Sequence, residues 1–253
     1  MHALTFAAAL LAYPAPAADQ MPTIIGGELS GRWPGVGALL HGQRFGCTAF
    51  LVAPDVVMTA AHCIGSATIP PPDVFFTGPD LDHVLNRYPI ADITPHPDYD
   101  PATARYDLAM IRLAVPATEP VVEVATAPLS EADGGRPVWM VGYGLDENDE
   151  SMRKRIGSTV IGGVIGGVIG DNVIIDGLPQ ACYGDSGSPL LRIGANGQPV
   201  AIGVASYIDD ALCEGSTYYQ RIDRALPFVL GFGDICVEDS RCSDALFASG
   251  FDD

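Results

Sequence analysis

Positive charge is scarce in this chain: 13 Lys and Arg stand against 31 Asp and Glu over 253 residues, a formal net charge of −18. Such a surface repels a phosphate backbone, so nucleic acid is excluded as an electrostatic partner. What the acidity does indicate is a solvated, self-repelling surface. Long hydrophobic runs are also missing. The longest stretch, from Ala3 to Ala12, has about ten apolar residues where a bilayer crossing needs about twenty, and no later segment qualifies. No C-x-x-C pair and no Cys/His grouping at zinc spacing occurs, so no metal is expected; the region from Pro70 to Ile90 likewise lacks a cluster of oxygen ligands for calcium. No cofactor is implied. Long amphipathic helical periodicity is sparse, and its clearest instance is the short stretch Gln220 to Leu230.

Apolar residues and turn-formers are plentiful. Hydrophobic residues make up 48% of the chain, with 29 Gly and 21 Pro, which describes a folded, turn-rich protein with a substantial core. After Ile24, short runs rich in Val, Ile, Leu and aromatics alternate with Gly, Pro, Asn and Asp. Thr48 to Val52, Leu108 to Leu113, Val138 to Val141 and Val200 to Ala205 read as antiparallel strands, and an all-β barrel or sandwich is predicted. The Gly-rich segment Ile161 to Gly170 reads as a strand and loop rather than a helix-packing motif.

The first residues bear on the compartment. The Ala3 to Ala12 run is followed by Ala15-Pro16-Ala17, a small-x-small cleavage pattern, so residues 1–17 are expected to be a signal peptide, although only His2 stands where a basic region is usual. Secretion to an extracellular or periplasmic space follows. Six cysteines in an exported chain suggest disulfides, with fifteen pairings open. Residues 231–253 read as an acidic tail; its ending, Ala245 to Asp252, is similar to endings on some secreted bacterial proteins, and a bacterial source is expected.

Three motifs carry chemistry. Thr59-Ala-Ala-His62-Cys63 places an imidazole directly after an apolar strand, and Cys63 can tie that turn to Cys47 on the strand before it. Asp107 heads the alternating segment Leu108 to Leu113, where a carboxylate could be buried against an imidazole N–H; buried without a partner it would be costly. Gly184-Asp185-Ser186-Gly187-Ser188-Pro189 sets a serine in a tight turn where the N–H groups of Gly184 and Ser186 can converge on one point. A hydroxyl nucleophile, a base, a residue orienting the base and paired N–H donors are the parts that acyl transfer needs. No histidine follows Ser186 and the G-x-S-x-G elbow is absent, which excludes the α/β-hydrolase order. His41, His83 and His96 lack comparable company and read as surface or loop histidines.

Ile24-Ile-Gly-Gly27, the His62 motif, the Asp107 motif and the Ser186 motif occur in the order and approximate spacing of the chymotrypsin-like serine peptidases, and residues 24–230 resemble that family. The resemblance implies two packed six-stranded antiparallel β-barrels, an active site in the cleft between them and a short C-terminal helix. It implies His62 as general base, Asp107 as its orienting partner, Ser186 as nucleophile, and Gly184 with Ser186 as the oxyanion hole. By the same resemblance residues 18–23 are a propeptide, cleavage before Ile24 frees an ammonium that pairs with Asp185, and Thr23 makes activation by a trypsin-like protease doubtful; another protease or the enzyme itself must cut. The substrate pocket maps to Gln180, Ser206, Ile208 and Thr217. Gln180 stands where trypsin-like relatives keep an acid, while Ile208 and Thr217 replace glycines, which implies cleavage after small uncharged residues, with an amide or acid side chain as the other option. The implied disulfides are Cys47–Cys63, Cys182–Cys213 and Cys236–Cys242. Protein or peptide substrates and a monomer are expected. A silent binding protein of the same fold and an esterase are the competing classes.

Overall fold

The computed structural model describes residues 24–238 apart from 43, 66–69, 147, 149 and 167–170. The expected signal peptide and propeptide (1–23) and residues 239–253 of the tail, with Cys242, lie outside the described residues.

The chain forms fifteen strands among the described residues: β1 (Glu28–Leu29), β2 (Val36–His41), β3 (Arg44–Ala53), β4 (Val56–Thr59), β5 (Val74–Thr77), β6 (Asn86–Pro95), β7 (Ala109–Leu113), β8 (Glu123–Val124), β9 (Pro137–Gly142), β10 (Arg155–Val160), β11 (Gly163–Val164), β12 (Asn172–Ile175), β13 (Pro189–Ile193), β14 (Pro199–Ile208) and β15 (Thr217–Arg221). A single-turn 3₁₀ segment follows β4 at Ala61–Ile64, and helix α1 spans Leu226–Leu230. The helix is shorter than the pattern from Gln220 suggests, because Gln220 and Arg221 finish β15 and Pro227 sits in the first turn of α1.

Strands β2-β3-β4-β7-β6-β5 close into a barrel, with β5 returning to β2 through Leu39 opposite Phe75. The second sheet runs β1-β10-β9-β13-β14-β15-β12-β11, with β8 added in parallel to β14. Strand β10, next to the edge strand β1, and the opposite edge strand β11 are consecutive in the chain, and the Gly162 N–H donates to the Ile174 carbonyl at 2.9 Å as the chain crosses between them. The two-barrel expectation is borne out, one barrel closed strand to strand and the other a half-barrel sheet.

The near-continuous apolar runs of β3, β4 and β7 have a structural cause. Successive side chains on a strand point to opposite faces, and here both faces are buried. Ala49, Leu51, Val57 and Ile111 fill the closed barrel. Their neighbours Phe50, Val52, Val56, Met58 and Met110 face the second sheet and α1, against Val141, Leu191, Val204, Ile222 and Val229. That shared apolar layer locks the two sheets together and makes the cleft between them a rigid place to build a site. Each such aliphatic or aromatic side chain taken from water stabilises the fold by roughly 1.5–3 kcal/mol.

Candidate active site

The 3₁₀ turn after β4 carries His62, and the Cys47–Cys63 disulfide ties it to β3. Asp107 ends the loop before β7. That loop is packed from behind: the His96 ring stacks on Tyr106 at a centroid distance of 4.4 Å, and the His96 N–H donates to the Leu108 carbonyl at 2.8 Å. Burial lowers the His96 pKa, with nearby Asp98 opposing. His96 does lie in a loop, directly after β6, but with 8% of the residue exposed it packs in the interior rather than at the surface.

Asp107 is buried and accepts three hydrogen bonds. Oδ2 takes the His62 Nδ1 at 2.7 Å and the Ser206 hydroxyl at 2.6 Å; Oδ1 takes the His62 backbone N–H at 2.9 Å. A carboxylate is all acceptor, so Nδ1 carries the proton and Nε2 is left with a lone pair to receive one. The imidazole itself is about one-third exposed, toward the cleft.

Ser186 lies in the turn entering β13, between Gly184 (φ +97°) and Gly187 (φ +83°). Gly187 also admits no side chain: a Cβ there would lie 2.1 Å from Thr59 Oγ1 and 2.3 Å from the Thr48 carbonyl oxygen. The peptides around the serine are held from outside. The Tyr183 carbonyl accepts from the Leu145 N–H at 2.9 Å, and the Asp185 carbonyl from the Ser188 N–H at 2.9 Å. Since C=O and N–H oppose each other across a trans peptide, the N–H groups of Gly184 and Ser186 are turned away from those partners.

His62 and Ser186 line one cavity of about 500 Å³, together with Ala181, Cys182, Tyr183, Ala205, Ser206, Tyr207, Ile208, Asp209, Asp210, Ala211 and Thr217. Of the four residues that the resemblance assigns to a substrate pocket, Ser206, Ile208 and Thr217 line this cavity. Gln180 does not line it. Its backbone pairs with Ile25 and its side chain is buried with Nε2 unpartnered; the pocket assignment of Gln180 is corrected accordingly. The Cys182–Cys213 disulfide forms and clamps the cavity wall. Cys236 is buried, and its expected partner lies outside the described residues.

Ile24 is buried in the core of the second sheet, beside Val138, Met140, Leu190 and Tyr219. The Asp185 carboxylate is wholly buried and accepts from the N–H groups of Gly144 at 2.8 Å and Cys182 at 3.0 Å. Burial raises its pKa to about 6, with those two N–H donors and the Arg155 charge opposing. Among the described residues, the one grouping of potential metal ligands is His62 with Cys47 and Cys63, whose sulfurs are joined to each other and are not thiolates. No helix among the described residues is long and apolar enough to cross a membrane.

Sequence reasoning missed Thr48, which bonds both sides of the Ser186 turn, and the cavity residues Tyr183, Asp209 and Asp210. Nothing in the neighbourhood of Thr48 in the sequence signals contacts with residues 136 positions away.

A closed barrel and a half-barrel meeting at a cleft that holds a carboxylate, an imidazole and a turn-borne serine define a chymotrypsin-like serine endopeptidase. The model of the family described as Trypsin matches residues 24–229, and the chain belongs to that family. It is 27% identical to brachyurin of Leptuca pugilator over 220 residues, covering 76% of this chain and 89% of brachyurin. It is 29% identical to serine protease 56 of Mus musculus over 211 residues, covering 74% of this chain and 34% of that protein. With coagulation factor XII of Sus scrofa it shares 28% identity over 199 residues, 66% of this chain and 32% of that one. The chain thus spans about a third of the latter two relatives. These relatives are animal proteins and lend no support to a bacterial source. Mouse neuropsin, a serine protease, superposes with a TM-score of 0.66 at 20% identity, covering 81% of this chain and 98% of that one. HBP superposes at 0.67 and 20% identity, covering 82% and 96%. At those identities the superpositions speak to the fold alone.

Proposed function

We propose that this endopeptidase is a secreted enzyme, made as a zymogen with signal peptide 1–17 and propeptide 18–23, that cleaves after small uncharged residues. Ser186 attacks the peptide carbonyl, His62 takes its proton and passes it to the leaving amine, and Asp107 holds the imidazole and stabilises the imidazolium. Gly184 and Ser186 N–H groups receive the oxyanion. The acyl-enzyme is then hydrolysed by water activated through the same imidazole.

The observation that carries this reading is the buried Asp107, whose Oδ2 meets both His62 Nδ1 and Ser206, beside a cavity shared by His62 and Ser186. The preference for small residues rests on Ile208 and Thr217 lining that cavity while Gln180 stays outside it. The Ile208 side chain narrows the wall for a large aromatic, and the two carboxylates that line the cavity already accept hydrogen bonds, Asp209 from the Ser216 N–H and the Tyr218 hydroxyl and Asp210 from the Leu212 and Glu214 N–H groups. Cleavage between Thr23 and Ile24, by another protease or by a second copy, would free an ammonium able to neutralise the buried Asp185 carboxylate; an ion pair out of water persists only with good geometry and serves best as a switch. The enzyme is proposed to act as a monomer.

A peptide library fixed in turn at the residue before the scissile bond tests the specificity: Ala, Val, Ser and Thr should dominate, and a product profile led by Arg, Lys or Phe would refute it. N-terminal sequencing of the secreted protein should begin at Ile24. A fluorophosphonate probe should label the processed protein and not Ser186→Ala; a processed protein that fails to label would instead favour a binding role for the fold.

A further inference from the structure

The turn that carries Ser186 belongs to the second sheet, yet much of what holds it comes from one residue of the first barrel. Thr48, in β3, is fully buried. Its backbone N–H donates to the Ser186 carbonyl at 2.9 Å, and its carbonyl accepts the Thr59 hydroxyl at 2.9 Å, three residues before His62. Any residue but proline could supply those backbone groups. The side chain adds something only a hydroxyl can supply: Thr48 Oγ1 donates to the Gly184 carbonyl at 3.0 Å and accepts from the Tyr143 N–H at 3.1 Å.

Those two bonds fall at a sensitive place. The Gly184 carbonyl lies in the peptide that joins the proposed oxyanion donor to Asp185. Tyr143 immediately precedes Gly144, whose N–H binds the Asp185 carboxylate at 2.8 Å. One hydroxyl thus couples both segments that grip Asp185. On the other side of Gly184 the Tyr183 carbonyl is already pinned by the Leu145 N–H, and the second peptide flanking Gly184 is held at both ends: its N–H, that of Asp185, donates to the Cys182 carbonyl at 3.0 Å, and its carbonyl accepts from Thr48 Oγ1. Glycine, with φ at +97°, has no side chain of its own to hold its backbone direction.

We infer that the Thr48 hydroxyl is a positioning residue for the oxyanion site, setting the direction of the Gly184 N–H through the Gly184 carbonyl and acting across the interface between the sheets. The inference rests on the reading of Ser186 as nucleophile and Gly184 as oxyanion donor. Thr48→Val keeps the shape and both backbone bonds but strands a half-buried carbonyl and a buried N–H. A displaced donor aimed at charge that develops only in the transition state lowers kcat rather than raising KM.

The test uses the processed enzyme and four forms: wild type, Thr48→Val, Thr48→Ser and Thr48→Ala. Fluorophosphonate labelling of wild type at Ser186 comes first; without it the underlying reading and this inference fall together. With it, Thr48→Val should lose roughly ten- to a hundredfold in kcat, the effect of one or two orphaned buried or half-buried groups, with KM within about twofold. A peptide aldehyde, whose hemiacetal oxygen occupies the oxyanion position, should bind weaker by a similar factor. Thr48→Ser, retaining the hydroxyl, should restore kcat to within about threefold of wild type. If Thr48→Val does not fold, Thr48→Ala is judged by the same kcat, KM and aldehyde criteria. Unchanged kcat in the hydroxyl-free variant, a loss expressed in KM alone, or an equal loss in Thr48→Ser would overturn the inference while leaving the nucleophile assignment standing.

Discussion

Replacing Asp107 by asparagine is the sharpest probe of the proposed mechanism, because the geometry leaves the amide no good orientation. Three donors converge on the carboxylate: the His62 N–H at Oδ1, and His62 Nδ1 and the Ser206 hydroxyl at Oδ2. An amide offers one oxygen. The backbone N–H cannot change its role, so the amide oxygen must stay at the Oδ1 position and the NH₂ must turn toward His62 Nδ1. Ser206 can rotate its hydrogen away and accept instead. The imidazole has only one answer, which is to carry its proton on Nε2. That proton then faces the nucleophile, and the base is lost while packing and cavity shape are kept. A wrong tautomer of this kind costs roughly 10⁴ in kcat, about 5 kcal/mol of transition-state stabilisation. The opposite amide orientation sets NH₂ against the His62 N–H and fares no better. Steady-state hydrolysis of a fluorogenic peptide measures kcat, and the rate of fluorophosphonate labelling should fall in parallel, with the thermal midpoint little moved. An Asp107→Asn enzyme within about tenfold of wild-type kcat would refute the chain of reasoning from carboxylate to tautomer to base.

Other predictions follow from the same geometry. Gly187→Ala combines a left-handed backbone with a Cβ 2.1 Å from Thr59 Oγ1; in a Ser186→Ala background it should cost about 3 kcal/mol in urea unfolding, and a loss under about 1 kcal/mol would contradict the tight approach. Removing Cys182–Cys213 through a double alanine variant opens a loop of 31 residues, worth roughly 3–4 kcal/mol by chain entropy, and should raise KM because one wall of the cavity is freed. For Asp185, a folded pKa of about 6 against an ordinary 3.8 means that the folded, uncut chain binds the proton more tightly than the unfolded chain. This contribution therefore favours folding at low pH and is lost as pH rises from about 4 through 6, by about 3 kcal/mol in all. Once Ile24 carries a free ammonium, that loss should shrink. Unfolding free energies at pH 4.5 and 7.5, compared between cut and uncut Ser186→Ala protein, check this; identical pH dependence in the two forms would count against the Ile24–Asp185 pair. Glu119→Gln should destabilise the protein at neutral pH and least at acid pH. Burial opposes the Glu119 charge, but hydrogen bonds from Thr77, Tyr88 and Asn86 outweigh it and hold its pKa down, so its stabilisation is present above its unfolded pKa and lost as pH falls through the folded one.

Much of this protein is legible one segment at a time. Alternating and doubly buried apolar runs announce strands because side-chain direction on a strand follows from the backbone alone, and β3, β7, β9 and β14 fall where those runs predict. Glycines around Ser186 announce a turn because only glycine sits comfortably at φ +97° and +83°. The Cys47–Cys63 and Cys182–Cys213 bridges were readable through family resemblance, and both form. What tertiary structure alone decided lies between segments. Closure of the first barrel and its packing on the half-barrel bring His62 to Asp107 across 45 residues, Asp107 to Ser206 across 99, and Thr48 to Gly184 across 136. The same packing turned Gln180 away from the cavity and made His96 a support for the Asp107 loop. A residue's type declares the bonds it is able to make, but which partner it meets depends on the register of strands far apart in the chain, and that register is set by the burial of the whole apolar layer at once.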